Sequence, residues 1–226
     1  MRKRLLYLII LIQCITVSAQ DDCSSITSFH NGKEWIYQWY GTNNKPSFRS
    51  YTKVVSTELN DSSLVRLIII NAFQDTVYQG KYYVQCTATG LHQDLLAKLT
   101  PDMLQSMNGL DIKTSSLGWV LPHNLKAGDY IPQSYAHFSG FAGTAKILDL
   151  DISIGPVDIH DREDLTTPAG GFPCMTMSYE LWITQMTRKR FKLRDWLSPG
   201  IGIIRREVFD RRGQYFGYCE LVGVGG

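Results

Sequence analysis

The sequence predicts a mainly β fold: a curved antiparallel meander sheet, shaped as a half-open barrel or a two-layer sandwich, with one short helix. Three observations predict it. Apolar and polar residues alternate with period two along most of the chain, as in "EWIYQWY" and "ILDLDISI". Glycine, proline, asparagine and aspartate cluster between those stretches, where turns are needed. Helical spacing occurs in a single brief stretch.

The elements follow in order. "MRKRLLYLIILIQCITVSAQ" sets three cations before a short apolar run and small residues, with Val17 and Ala19 at the cleavage positions. Residues 1–19 therefore read as a signal peptide. The apolar run is shorter than the ~20 residues needed to span a bilayer, so the mature chain, residues 20–226, is read as one exported β-rich domain with no transmembrane segment.

"EWIYQWY" puts Trp35, Tyr37 and Trp39 on one face of a strand. "FRSYTKVVSTEL" continues the pattern, "NDSS" turns, and "LVRLIIIN" reads as a strand covered on both sides. "TVYQGKYYVQC" is a further strand with a bulge expected at Gly80. "LTPDMLQSM" places Thr100 as N-cap, Pro101 first in the helix and Asp102 in its first turn, with Met103, Leu104 and Met107 as core filler over residues 101–107. "TAKILDLDISI" has one wet and one dry face, and "CMTMSYELWITQM", "IGIIRREVFD" and "GQYFGYCELVGV" are three late strands. About ten strands result.

Charge and cysteine content bound the function. The chain carries 23 Lys+Arg against 21 Asp+Glu, but Arg2, Lys3 and Arg4 leave with the signal, so the mature surface is close to neutral. Nucleic-acid binding then has no electrostatic support. Cys14 leaves as well, and Cys23, Cys86, Cys174 and Cys219 remain as disulfide candidates in an exported chain. Four cysteines allow three pairings and sequence does not choose among them. Pairing Cys23 with Cys86 and Cys174 with Cys219 keeps each bridge within one half of the chain; buried free thiols are the alternative.

No stretch assembles a reaction centre. In "TTPAGGFPC" Gly170 and Gly171 run into Pro173 and a strand, whereas a phosphate cradle runs into a helix, so the segment reads as a tight corner. In "VDIHDRED", Asp158 and His160 share their face with Arg162, a poor ligand set for a cation. His30, His92, His123 and His137 are scattered, and neither zinc spacing nor a Gly-x-Ser-x-Gly elbow occurs. The expectation is no metal, no cofactor and no enzymatic activity. Asn60 opens a glycosylation acceptor, which matters only in a eukaryotic secretory route. Arg190, Lys192 and Arg194 alternate with Phe191 and Leu193 as a cationic stripe, either a contact for an anionic envelope surface or solvated charges that keep an edge strand from aggregating.

Taken together, "WVLPHNLKAGDYIP", "TTPAGGFPCM", "WLSPGIGIIRREVF", "KYYVQC" and the spacing of Gly32, Trp35 and Tyr37 resemble the TapB-like exported proteins of Gram-negative bacteria, relatives of a large domain family of unknown function. The resemblance spans Gly32 to Leu221, and Gly171 stands where that group commonly has Thr. It implies an antiparallel β-rich fold, a periplasmic or secreted location, and no established activity or catalytic residues. Its motifs are turn devices around Pro122, Gly128 and Pro199-Gly200, with Trp196 as a corner plug over the sheet.

Three functions follow as expectations. The first is a non-catalytic binding module whose concave sheet face, lined by Trp35, Tyr37 and Trp39, holds an apolar small molecule, lipid or peptide. A structural or assembly protein of the envelope is the alternative, favoured if that face is filled by the chain's own side chains. An unrecognised hydrolase is the third, which would need a Ser or Cys with His and Asp in a cleft.

Overall fold

The computed structural model describes residues 23, 26–27, 29–58, 62–115 and 118–226. The signal segment 1–19 and the Asn60 acceptor lie outside the described residues.

Five antiparallel strands open the fold: β1 (Glu34–Gly41), β2 (Pro46–Glu58), β3 (Ser62–Asn71), β4 (Thr76–Thr87) and β5 (Gly90–Gln93). A 3-10 turn (Leu95–Lys98) and a one-turn helix α1 (Pro101–Gln105) follow. Then come β6 (Asp111–Thr114), β7 (Trp119–Leu121), β8 (Tyr130–Ile131), β9 (Ser134–Ala142), β10 (Ala145–Ile154), β11 (Val157–Thr167), β12 (Gly170–Thr184), β13 (Arg188–Ser198), β14 (Gly202–Phe209) and β15 (Tyr215–Gly225). All join one antiparallel sheet in the order β6-β9-β10-β12-β13-β14-β15-β1-β2-β3-β4-β5-β7, with β11 and β8 continuing beside β12. The count exceeds ten because β5 to β8 have only two to four residues each, too few to display a period.

The sheet curls without closing. Trp119 on β7 and Tyr179 on β12 are far apart along that path, yet their rings lie 6.5 Å apart. One hydrophobic core fills the curve. The ends of the path, β6 and β7, are consecutive in the chain.

Several local readings are refined by this geometry. In β3 Ser63, Val65, Leu67 and Ile69 are buried, while Leu64, Ile68 and Ile70 are half-buried, as expected of a strand covered on one face. Gly80 is not a bulge: it stays in register opposite Leu67, and a Cβ there would lie 2.2 Å from Tyr78 Oη, so the glycine is the bed for a tyrosine ring. "TTPAGGFPC" is a hairpin corner, with Thr167 opposite Gly170 and only Pro168 and Ala169 between them. Gly170 takes φ 133°, which L side chains disfavour.

A disulfide joins Cys23 to Cys86. Cys174 and Cys219 are instead buried thiols, contrary to the second pairing favoured above. Cys174 on β12 and Cys219 on β15 are separated by β13 and β14. Three strand spacings of about 4.8 Å exceed the Cα–Cα reach of a disulfide, about 7 Å.

The helical interlude is a plug. Leu95, Leu96, Leu99, Leu104 and Met107 are buried in the same core as the strands. Asp94 Oδ1 accepts the Leu96 N–H at 2.9 Å and caps the 3-10 turn. Thr100 precedes α1 but makes no side-chain cap, so the hydroxyl expected there serves no helix donor.

Candidate functional site

Trp35, Tyr37 and Trp39 line the concave side, and each polar tip is held by the chain itself. Trp35 Nε1 donates to Ile201 O at 2.8 Å, Tyr37 Oη to Ile203 O at 2.9 Å, and Trp39 Nε1 to Ser50 Oγ at 3.3 Å. The plug occupies most of the space before them. Among the described residues, a chamber of about 110 Å³ lies where Tyr37 and Trp39 face a lining that includes Leu99 and Leu104, and another of about 70 Å³ lies beside Trp35 and Trp119. Sites for small molecules are commonly about 300–1,000 Å³. A lipid has no room across the middle of this face.

Between plug and wall lies a charge cluster that sequence reading missed. Asp195, fully buried, accepts two hydrogen bonds from Arg206, Nε to Oδ1 at 2.7 Å and Nη2 to Oδ2 at 2.8 Å. Tyr179 Oη donates to Asp195 Oδ2 at 2.8 Å, and Lys98 Nζ stands 3.4 Å from the same oxygen. Arg206 Nη1 also donates to Ala97 O at 3.2 Å, and Lys98 lies over the Trp119 ring, 3.5 Å from its centroid. Lys98 and Ala97 belong to the plug, so the cluster pins it to β12, β13 and β14. One signal was available: Asp195 falls on the same alternate positions as buried Leu193 and Leu197.

Burial alone would raise the Asp195 carboxyl, but Arg206 and Lys98 outweigh it and hold the group at about 2. Burial pulls Lys98 down to about 7 against the pull of Asp195. Cys219 and Cys174 are pushed up by burial to about 12 and about 11, far from thiolate reactivity.

Asp94 supplies a pH test. Burial raises it to about 6, against the weaker effect of the Leu96 N–H. A folded pKa above the unfolded value means the native state holds the extra proton, so this group makes stability fall as pH rises from about 4 to about 6. Asp94→Asn keeps a capping oxygen and cannot ionise. Urea denaturation should therefore find the variant more stable than the parent at pH 7, by roughly 1–3 kcal/mol, with that part of the pH slope abolished. An unchanged slope between pH 4 and 6 would refute the assignment.

At one end of the curve the concavity opens into a pocket of about 300 Å³. Trp39, Phe48, Val208 and Phe216 line it together with Tyr40 and Tyr218, over a floor of Thr100, Pro101 and Asp102 from the start of α1. Trp39 divides this pocket from the inner chamber, since it lines both. Thr100 is 3% exposed and its Oγ1 has no hydrogen-bond partner, while Phe216 is 43% exposed at the rim. Phe48 and Phe216 carried no sequence signal beyond strand alternation.

The cationic stripe is exposed on β13 but not isolated. Arg190 pairs with Glu180, and Arg194 lies 3.7 Å from Glu163 and over the Trp196 ring. Lys192 and Arg194 line an outer groove of about 420 Å³ that also contains Asp158 and Glu180, so its field is mixed in sign. Trp196 lies under Arg194 and donates to Glu163 at 2.5 Å, which fits a covering role.

Ser139, His137 and Asp151 form a Ser-His-Asp line. On β9 and β10, His137 Nδ1 faces Asp151 Oδ1 at 2.7 Å, and Ser139 Oγ stands 3.3 Å from His137 Nε2. Asp149 Oδ1 competes for that Nε2 at 3.0 Å. Ser139 sits mid-strand with ladder partners on both sides, Lys113 and Asp149, so the local backbone offers no paired N–H groups to a developing oxyanion. The cluster is open to solvent, with the Asp149 side chain 61% and the Asp151 side chain 44% exposed. A ring nitrogen of His123 lies within 4.8 Å of both Cys23 and Cys86 sulfurs, but those sulfurs are bonded to each other. Among the described residues no helix is long and apolar enough to cross a membrane.

The profile of the DUF3108-like family matches residues 30–221. Two crystal structures share the fold. A candidate lipoprotein of Parabacteroides distasonis superposes with TM-score 0.75 at 19% identity, covering 90% of this chain and 100% of that one. A candidate exported protein with a YmcC-like fold from Bacteroides fragilis gives TM-score 0.76 at 18% identity with the same coverage. No curated protein matches the sequence.

Proposed function

The chain belongs to the DUF3108-like family, and from that premise we propose a TapB-like, exported, non-catalytic protein of the Gram-negative envelope that binds an apolar group in the pocket at the mouth of its curved sheet. The observation that carries this reading is the pocket of about 300 Å³ walled by Trp39, Phe48 and Phe216, roomier than the chambers of about 110 and 70 Å³ deeper in the concavity. The leader-like first residues and the descriptions of the two structural relatives, one a candidate lipoprotein and the other a candidate exported protein, support the location. The filled middle of the concave face narrows the ligand from a whole lipid to a small molecule or a single side chain of a peptide.

An apolar naphthylamine dye, fluorescent only when desolvated, tests this. Wild-type protein should bind it saturably at one site, and Phe216→Ser and Trp39→Ala should each weaken binding about tenfold, the equivalent of losing part of one aromatic contact. Equal binding by both variants would end the pocket reading. The alternative, an assembly role, is favoured by the plugged interior. It calls for sedimentation with anionic vesicles that is lost on replacing Arg190, Lys192 and Arg194 together while dye binding stays absent.

A further inference from the structure

Resting on the mouth pocket just described, we propose that its ligand is an organic ammonium cation: a primary or quaternary amine on a small apolar body, presented as a free molecule. The lining contains one charged side chain, Asp102, and neither lysine nor arginine. Asp102 is exposed at the start of α1, so its carboxylate stands at the rim in contact with solvent. The walls that can receive a cation are Trp39, Phe48 and Phe216; Tyr40 and Tyr218 also border the pocket, but they stack on each other and the Arg205 guanidinium already lies 4.3 Å from the Tyr218 ring centroid. Aromatic faces carry negative charge density and attract a cation that fits among them.

A fatty acid or phosphate headgroup, by contrast, would bring its anion towards Asp102 with no cation in the lining to receive it. Thr100 adds a second, independent observation. The residue is 3% exposed and borders the pocket, and its hydroxyl has no hydrogen-bond partner among the described residues. A buried hydroxyl left unmatched is costly, and an N–H or hydroxyl on the ligand would satisfy it. Ammonium at the aromatic wall, apolar body against Val208 and Pro101, and one polar group at Thr100 together fit a volume of about 300 Å³.

Titration calorimetry of the full mature chain with benzyltrimethylammonium, its uncharged carbon isostere and benzoate separates the possibilities. The cation should bind about 3- to 30-fold more tightly than the isostere, the range that cation–aromatic attraction supports. Benzoate should bind more weakly than either. Asp102→Asn, a change on the surface, should narrow the cation's advantage by about two- to fivefold and leave the isostere unaffected. Isostere binding equal to or tighter than cation binding, or a preference for benzoate, would overturn the ammonium assignment while leaving an apolar pocket intact. Failure of all three, together with failure of the naphthylamine dye, would remove the pocket reading itself.

Discussion

Replacing Asp195 with alanine is expected to lower stability by about 3–5 kcal/mol, a large share of the roughly 5–15 kcal/mol that holds an ordinary domain together. Among the described residues Asp195 is the sole anion in contact with two buried cations: Arg206 is 5% exposed and Lys98 1%. Without the carboxylate, Arg206 retains the Ala97 carbonyl and Lys98 retains the Trp119 face, and neither neutralises a charge. The cost is therefore chiefly that of leaving charge uncompensated in a dry interior.

A complementary variant keeps this falsifiable. Lys98→Met, Arg206→Met and Asp195→Leu together remove every member, and should recover most of the loss, since a buried ion cluster replaced by apolar side chains of similar volume is often neutral. Urea denaturation of both proteins reads the result. A single-site loss below about 1 kcal/mol would contradict the geometry. The pH dependence has a definite sign: Asp195 is held at about 2, below its ordinary value, so its contribution is complete above about pH 4 and is lost as pH falls through about 2.

The second large effect concerns the disulfide. Cys23 and Cys86 are 63 residues apart in sequence, and a loop of that length restricts the unfolded chain by about 4 kcal/mol in the chain-entropy account. The bond also tethers residues that pack on the curved sheet: Thr27 bridges Ile201, and the Phe29 ring lies 5.5 Å from that of Trp35. Cys23→Ala with Cys86→Ala should therefore lose about 2–4 kcal/mol. Cys174→Ala and Cys219→Ala remove only small buried groups and should cost clearly less. Denaturation midpoints measured with and without a phosphine reductant decide it: a reductant effect in the Cys174 and Cys219 variants equal to that in the parent, and none in the Cys23 and Cys86 variant, is the expected pattern. A reductant that leaves the parent unchanged would rule the tether out as a source of stability.

Of the aromatics picked out in the sequence, Trp39 alone lines the mouth pocket, while Trp35 and Tyr37 face the inner chambers. Trp35, Tyr37 and Trp39 do share the concave face, because alternation in an extended strand is a local rule that tertiary packing has little freedom to break. The corner at Pro168 and Ala169 and the helix start at Pro101 follow from backbone chemistry that each residue carries with it. The same reasoning overshot at Gly80, where the missing side chain makes room for Tyr78 rather than for a bulge.

Local chemistry, then, determined which stretches are strands, where they turn and which side chains share a face. Tertiary structure alone decided what stands opposite that face: a plug pinned by Lys98 to Asp195, 97 residues away in sequence, with small chambers of about 110 and 70 Å³ beside it and the aromatic mouth above Thr100. It also decided that Cys23 has a bonded partner and Cys174 has none. The physical reason is the same for both. Strand period and turn propensity act between near neighbours in sequence, whereas a buried charge or a disulfide depends on the separation in space of residues that only the curvature of the whole sheet brings together.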